Sequence, residues 1–140
     1  MPIDTSFLSR CIATLLEAKR SLSNLNENDI KYDIFRAACV KEFEIILEQS
    51  GKLLKQALVP FVHSIKAAKV LTFKDTFRKA AQFGIISIEE AERWLTYRDN
   101  RNETAHDYGA GFAEKTFILL DTFIEDATQL AQYLSEQDYD

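Results

Sequence analysis

Eight consecutive residues, Arg101-Asn102-Glu103-Thr104-Ala105-His106-Asp107-Tyr108, gather most of what in this sequence is fit for chemistry. His106, one of only two histidines, can exchange a proton near neutral pH. Arg101 carries a rigid fork of donors matched to phosphate oxygens, and Arg98 adds a second guanidinium one helical turn earlier. Asn102 and His106 form an i,i+4 pair on a helix. Tyr108 offers a hydroxyl that can be held or modified. The chemistry these groups suit is proton transfer beside a bound phosphate. The sequence has no glycine-rich phosphate loop, no paired-carboxylate motif and no His-Glu-x-x-His spacing, so an enzyme built here is expected to need neither metal nor cofactor.

Helical geometry tests whether these residues can cooperate. At about 100° per residue, Arg101 and Tyr108 lie roughly 20° apart in azimuth, whereas His106 lies roughly 140° around from Arg101. On one straight helix the arginine and histidine side chains would diverge. Either the helix loosens near Ala105, as the approaching Gly109 suggests, or a second copy completes the site across a two-fold axis. A symmetric dimer would also double the positive charge contributed by Arg98 and Arg101. The plainer reading makes Arg98, Arg101 and Glu103 a solvated helix face, with His106 and Tyr108 at an ordinary helix C-terminus. A cationic histidine is favoured there by the helix dipole alone.

The elements that must position these residues read as helices nearly throughout. Phe7, Cys11, Leu15, Ala18 and Leu22 make an apolar stripe, predicting a helix over about 4–24. A polar turn precedes a second helix, about 30–57, whose inner side is Ile34, Phe35, Ala38, Cys39, Glu42, Phe43, Ile46 and Leu53, with Pro60 closing it. Glu42 belongs on the edge of that stripe. The segment 61–70 has no clear period, and His63 within it is expected to be a surface or packing residue. Thr72 starts a further helix that Gly84 stops. Ser87-Ile-Glu-Glu90 fits a capping box opening a helix that carries Trp94 and Leu95 toward Tyr108. The last helix, about 112–136, turns Phe112, Thr116, Leu119, Leu120, Phe123, Ala127, Leu130 and Leu134 inward. The expectation is one all-α domain over residues 1–140, an antiparallel bundle of four to five helices with an acidic tail fraying from about residue 135.

Composition narrows the function. Hydrophobic residues at 46% and charged ones at 28% exclude a disordered chain. No apolar run approaches the roughly 18–20 residues of a membrane span, and the start lacks the basic and apolar regions of a secretion signal, so a cytoplasmic protein with no membrane partner is expected. Cys11 and Cys39 fall at apolar helical positions and read as buried thiols. The net charge of −5 opposes a general nucleic-acid binder, so any RNA contact must use a local basic site.

The pattern Arg101-x4-His106-x-Tyr108 resembles the signature of the HEPN superfamily. More narrowly, Arg101-Asn102-x-Thr104-Ala105-His106-x-Tyr108 resembles the branch encoded beside minimal nucleotidyltransferases. The stretch from Thr72 to Ile86, a basic-aromatic helix ending in phenylalanine, glycine and two aliphatics, is similar to the segment preceding that branch's motif helix. Trp94-Leu95 stands where the branch would have it, and Lys41-Glu-Phe-Glu44 is similar to its second helix more loosely. The likeness spans about 7–134 and is strongest over 72–108. It implies a HEPN bundle that pairs as a homodimer, with the motif lining a cleft at the two-fold. It further implies a toxin that cleaves RNA without metal, Arg101 and His106 being catalytic and Asn102 and Arg98 supporting groups that bind phosphate. Its antitoxin would be a nucleotidyltransferase that adds AMP to Tyr108. Asp107 departs from favourable RNA chemistry by placing a carboxylate between His106 and Tyr108. The older description of this branch implies instead a non-catalytic subunit that binds nucleotide or another substrate for a two-component nucleotidyltransferase. A purely structural helical adaptor is the third class.

Overall fold

The computed structural model describes residues 2–103 and 110–137. They form α1 (Ser6–Ser23), α2 (Ile30–Val62), α3 (Ile65–Lys69), α4 (Phe73–Gln82), α5 (Ile88–Glu103) and α6 (Ala110–Ser135), with no strand among the described residues. The all-α expectation holds. Among the described residues there are six helices rather than four to five, because the segment without a clear period contains the five-residue α3.

Local chemistry sets most boundaries. Thr72 Oγ1 accepts from Asp75 N at 3.1 Å, starting α4. Gly84, at φ 78°, ends it: Gly84 N donates to Ala81 O at 3.1 Å and Ile85 N to Ala80 O at 2.9 Å, the paired bonds of a Schellman stop. At the start of α5 the capping box is reciprocal, Ser87 Oγ accepting from Glu90 N and Glu90 Oε1 from Ser87 N.

Pro60 does not close α2. The helix runs on to Val62 with Pro60 inside its last turn. His63 supplies the stop: it adopts the left-handed conformation, φ 58°, and its N–H donates to Val59 O at 2.9 Å. Its side chain is exposed, as expected of a surface histidine.

The long helix α2 is the spine of the bundle. Cross-helix pairs give the directions of its neighbours. Lys19 near the end of α1 pairs with Asp121 in the first half of α6, and Ile3 N donates to Gln137 O beyond the end of α6, so α1 and α6 are antiparallel. Arg93 meets Asp126 and Asn100 meets Thr116, so α5 and α6 are antiparallel too. The pairs Phe77–Trp94 and Phe73–Arg98 give the same sense for α4 and α5. In contrast, α4 runs parallel to α2, since Gly51 faces Phe73 and Phe61 stacks on Phe83. The turn at His63 and the helix α3 carry the chain back along α2 to make this possible.

The apolar stripes hold with two corrections, while the inward side chain expected at Phe112 lies outside the described residues. Leu8, Cys11, Ile12, Leu15 and Ala18 fill the inner face of α1, whereas Phe7 is exposed. Ile34 is likewise exposed, whereas Phe35 and Ala38 are half-buried against the core and full burial on α2 begins at Cys39. Glu42 is half-buried, with Oε2 shielded from solvent and without a hydrogen-bond partner among the described residues. No described helix is long and apolar enough to cross a membrane.

Candidate functional site on α5

The helix that leads into the His106 segment is held unusually firmly. Trp94 and Tyr97 are buried and surrounded by aromatic rings from three other helices. Phe77 of α4 stacks on Trp94 at 4.9 Å, Phe123 of α6 lies 5.0 Å from Tyr97, and Phe43 of α2 lies 4.5 Å from Phe123. Each such side chain contributes about 1.5–3 kcal/mol by burial. Aromatic rings in edge and offset contact add directional preference to that burial. The position and rotation of α5 are thereby fixed from three sides.

A polar clamp adds to this. Asp126 of α6 is 3% exposed and accepts three hydrogen bonds: from Arg93 Nε and an Arg93 terminal nitrogen, each at 2.8 Å, and from the Tyr97 hydroxyl at 2.6 Å. The Asp126 carboxylate holds the Arg93 guanidinium charged, and burial, then the bond to Asp126, pushes the Tyr97 hydroxyl well above its ordinary range. One turn further on, buried Asn100 Nδ2 donates to Thr116 Oγ1 at 3.1 Å. These residues tie α5 to α6 by specific bonds immediately before the motif.

The residues singled out from sequence fall on the far end of this clamped helix. Arg101 follows Trp94 by two turns, about 20° away in azimuth, so it extends the core-facing stripe beyond the aromatic cluster. It is half-buried, and among the described residues it forms no ion pair, leaving its donors available. Asn102 is exposed. Arg98 is half-buried, and its guanidinium carbon sits 5.1 Å from the centroid of the Phe73 ring, a cation–π contact across the α4–α5 seam. Gly51 makes room for that ring: a Cβ there would stand 3.1 Å from Phe73 Cδ2. Arg98 and Arg101, three residues apart, thus project from one end of the bundle, while Asn102 lies beside them in sequence and open to solvent. His106, Tyr108 and the intervening Asp107 lie outside the described residues, as do the offsets expected between Arg101 and the other two.

Sequence reasoning missed the Arg93–Tyr97–Asp126 clamp. One signal was available, an acid at position 126 inside the apolar stripe Phe123, Ala127 and Leu130. Cys11 and Cys39 are free and buried. Burial pushes both thiols up to about 11, with Glu42 adding to the effect at Cys11. They are inert packing groups at neutral pH. Among the described residues no three histidine, cysteine or acidic side chains gather to hold a metal.

Comparison with known proteins places this arrangement in context. Residues 7–136 match the family described as nucleotidyltransferase substrate binding protein like. The probable ribonuclease HepT of Haemophilus influenzae is 30% identical over 108 residues, covering 77% of this chain and 73% of that protein. The solved structure of HI0074, also from Haemophilus influenzae and described as the fold of a substrate binding domain of a nucleotidyltransferase, superposes with a TM-score of 0.81. That match has 27% identity and covers 94% of this chain and 98% of the other.

Proposed function

Because the chain belongs to the nucleotidyltransferase substrate-binding-protein-like family, we propose that it is the ribonuclease toxin of a pair whose second member is a minimal nucleotidyltransferase. The observation that carries this reading is the state of Arg101. It is half-buried and without an ion pair among the described residues, on a helix clamped by Asp126, five positions before His106. The name of the Haemophilus influenzae relative, a probable ribonuclease, supports the same reading.

In the proposed reaction a ribose 2′-hydroxyl attacks the adjacent phosphorus and the P–O5′ bond breaks. The products are a 2′,3′-cyclic phosphate and a free 5′-hydroxyl. His106 takes up the proton of the nucleophile or supplies one to the leaving oxygen. Arg101 stabilises the charge that grows on the non-bridging oxygens. Arg98 and Asn102 support the phosphate, and a homodimer brings two such sets together. Neither metal nor cofactor is required. The partner nucleotidyltransferase silences the toxin by adding AMP to Tyr108, setting an anion that Arg101 can bind where the RNA phosphate would go.

A second reading, a non-catalytic subunit that binds nucleotide for a nucleotidyltransferase, is favoured by the descriptions of the family and of HI0074. Induced expression in a bacterial host separates the two. The toxin reading expects growth arrest with wild type, normal growth with Arg101→Ala or His106→Ala, and rescue of wild type by the nucleotidyltransferase. Rescue should coincide with an adenylyl mass increment that Tyr108→Phe abolishes. Equal growth with wild type and both alanine variants would favour the binding subunit.

A further inference from the structure

Between the end of α2 and α3 lies an open groove of about 430 Å³ that the α5 site does not use. The reversal at His63 creates it. Ser64 caps α3, its Oγ accepting from Ala67 N at 3.0 Å, and the short helix lies back along α2 with Ala68 as its buried contact. An alanine there is too small to fill the space between the two helices, so the floor stays open. Val59 and Ala68 line that floor and Ile65, 58% exposed, forms one wall.

The rim has the opposite character. Lys52, Lys55 and Lys69 all border the groove, and none of them forms an ion pair among the described residues. In a chain with 22 acidic and 17 basic residues this is a local excess of positive charge beside exposed aliphatic surface. Unpaired like charges repel one another and gain from an oppositely charged partner.

We infer that this groove docks a short acidic amphipathic helix of a partner protein, its aliphatic side chains on Val59, Ile65 and Ala68 and its carboxylates on the three lysines. Lys52, Lys55 and Val59 recur at helical spacing along one face of α2, over about 10 Å, which matches roughly two turns of a docked helix. Protein rather than nucleic acid is indicated by the lining. Single-stranded nucleic acid is gripped by aromatic rings on which bases stack, and the residues lining this groove, aliphatic apart from the lysines and Gln56, include no aromatic ring. The rim charges would speed association and make it salt-dependent, and the aliphatic floor would supply the holding surface.

The probe is an acetylated, fluorescein-labelled helical peptide with leucines at i, i+3 and i+7 and glutamates flanking them, titrated into the full chain by anisotropy. Isotope-edited amide shifts of the labelled protein should move along positions 52–59 and 65–69. Affinity should fall at least tenfold in Lys52→Glu/Lys55→Glu/Lys69→Glu and several-fold in Ile65→Ser, with the helical circular dichroism of both unchanged. Equal binding by wild type and both variants overturns the assignment. So does equal binding of a control peptide with serine in place of leucine, which would leave charge alone. Displacement of the peptide by oligouridylate with shifts at the same amides would make the groove a nucleic-acid site. A change in sedimenting mass in the lysine variant, without peptide binding by wild type, would make it a contact between copies.

Discussion

Tyr97→Phe removes one oxygen from the clamp on α5 and leaves its ring in place. The lost bond runs 2.6 Å from the buried hydroxyl to Asp126 Oδ2, a charged acceptor. Hydrogen bonds to charged groups contribute about 1.5–3 kcal/mol. Asp126 keeps both bonds from Arg93, so no buried charge is left alone, and the ring keeps its contacts with Phe43, Trp94 and Phe123. The expected loss is therefore about 2 kcal/mol, in the middle of that range. Asp126→Asn keeps the shape but turns an amide donor toward Arg93 or Tyr97. The Arg93 side chain is 40% exposed and can recover water, so the ion-pair part is discounted for solvent screening, and about 2–3 kcal/mol remains. With a neutral acceptor at position 126, Tyr97→Phe should cost only about 1 kcal/mol, giving a coupling near 1 kcal/mol in the double-variant cycle. Urea unfolding followed by circular dichroism measures all four proteins. A Tyr97→Phe loss below about 0.5 kcal/mol, or the same loss in both backgrounds, would refute the clamp as described.

Three further outcomes follow from single features. Ser87→Ala breaks the capping box at the start of α5 and should cost about 1 kcal/mol, read as a lower melting temperature. Arg98→Met removes the cation–π contact with Phe73 and should cost at most about 1 kcal/mol because the side chain is partly solvated; a larger loss by denaturant titration would mean that Arg98 is structural. The thiols of Cys11 and Cys39 rise from 9.0 to about 11 on folding. Below pH 9 both states keep these protons, but above it the unfolded chain loses them first, so stability must fall as pH climbs through this window. Melting temperatures from pH 8 to 11 should decline, and the Cys11→Ala/Cys39→Ala protein should decline less steeply; parallel curves would contradict the burial effect.

The sequence disclosed what short-range chemistry decides. Thr72, Gly84 and the Ser87–Glu90 pair mark helix ends through bonds to their own neighbours, and all three were readable as such. Adjacent apolar residues were harder, since a stripe through Phe7 and one through Leu8 satisfy the same period and only packing against α2 and α6 chooses Leu8. The end of α2 was hidden for a different reason: its stop is a left-handed histidine, a residue that adopts this conformation more often than most but far less often than glycine, so its type is a weak signal. Asp126 and Arg93 are 33 positions apart, so their pairing depends on the register of α5 against α6 and was legible only as an odd acid in an apolar stripe. At the candidate site the helical setting of Arg98, Arg101 and Asn102 was readable from periodicity. The packing of Arg98 on Phe73 was not, because it depends on Gly51 admitting that ring.

Metal-independent RNA cleavage by Arg101 and His106 is open to a simple assay. The direct measurement is incubation of purified, unmodified protein with a labelled single-stranded RNA in excess chelator, with analysis of the product ends. The expected products carry 2′,3′-cyclic phosphate termini, with Arg101→Ala and His106→Ala slower by at least about a hundredfold while keeping wild-type helicity. Intact RNA with wild type, or cleavage by either alanine variant at the wild-type rate, would contradict it.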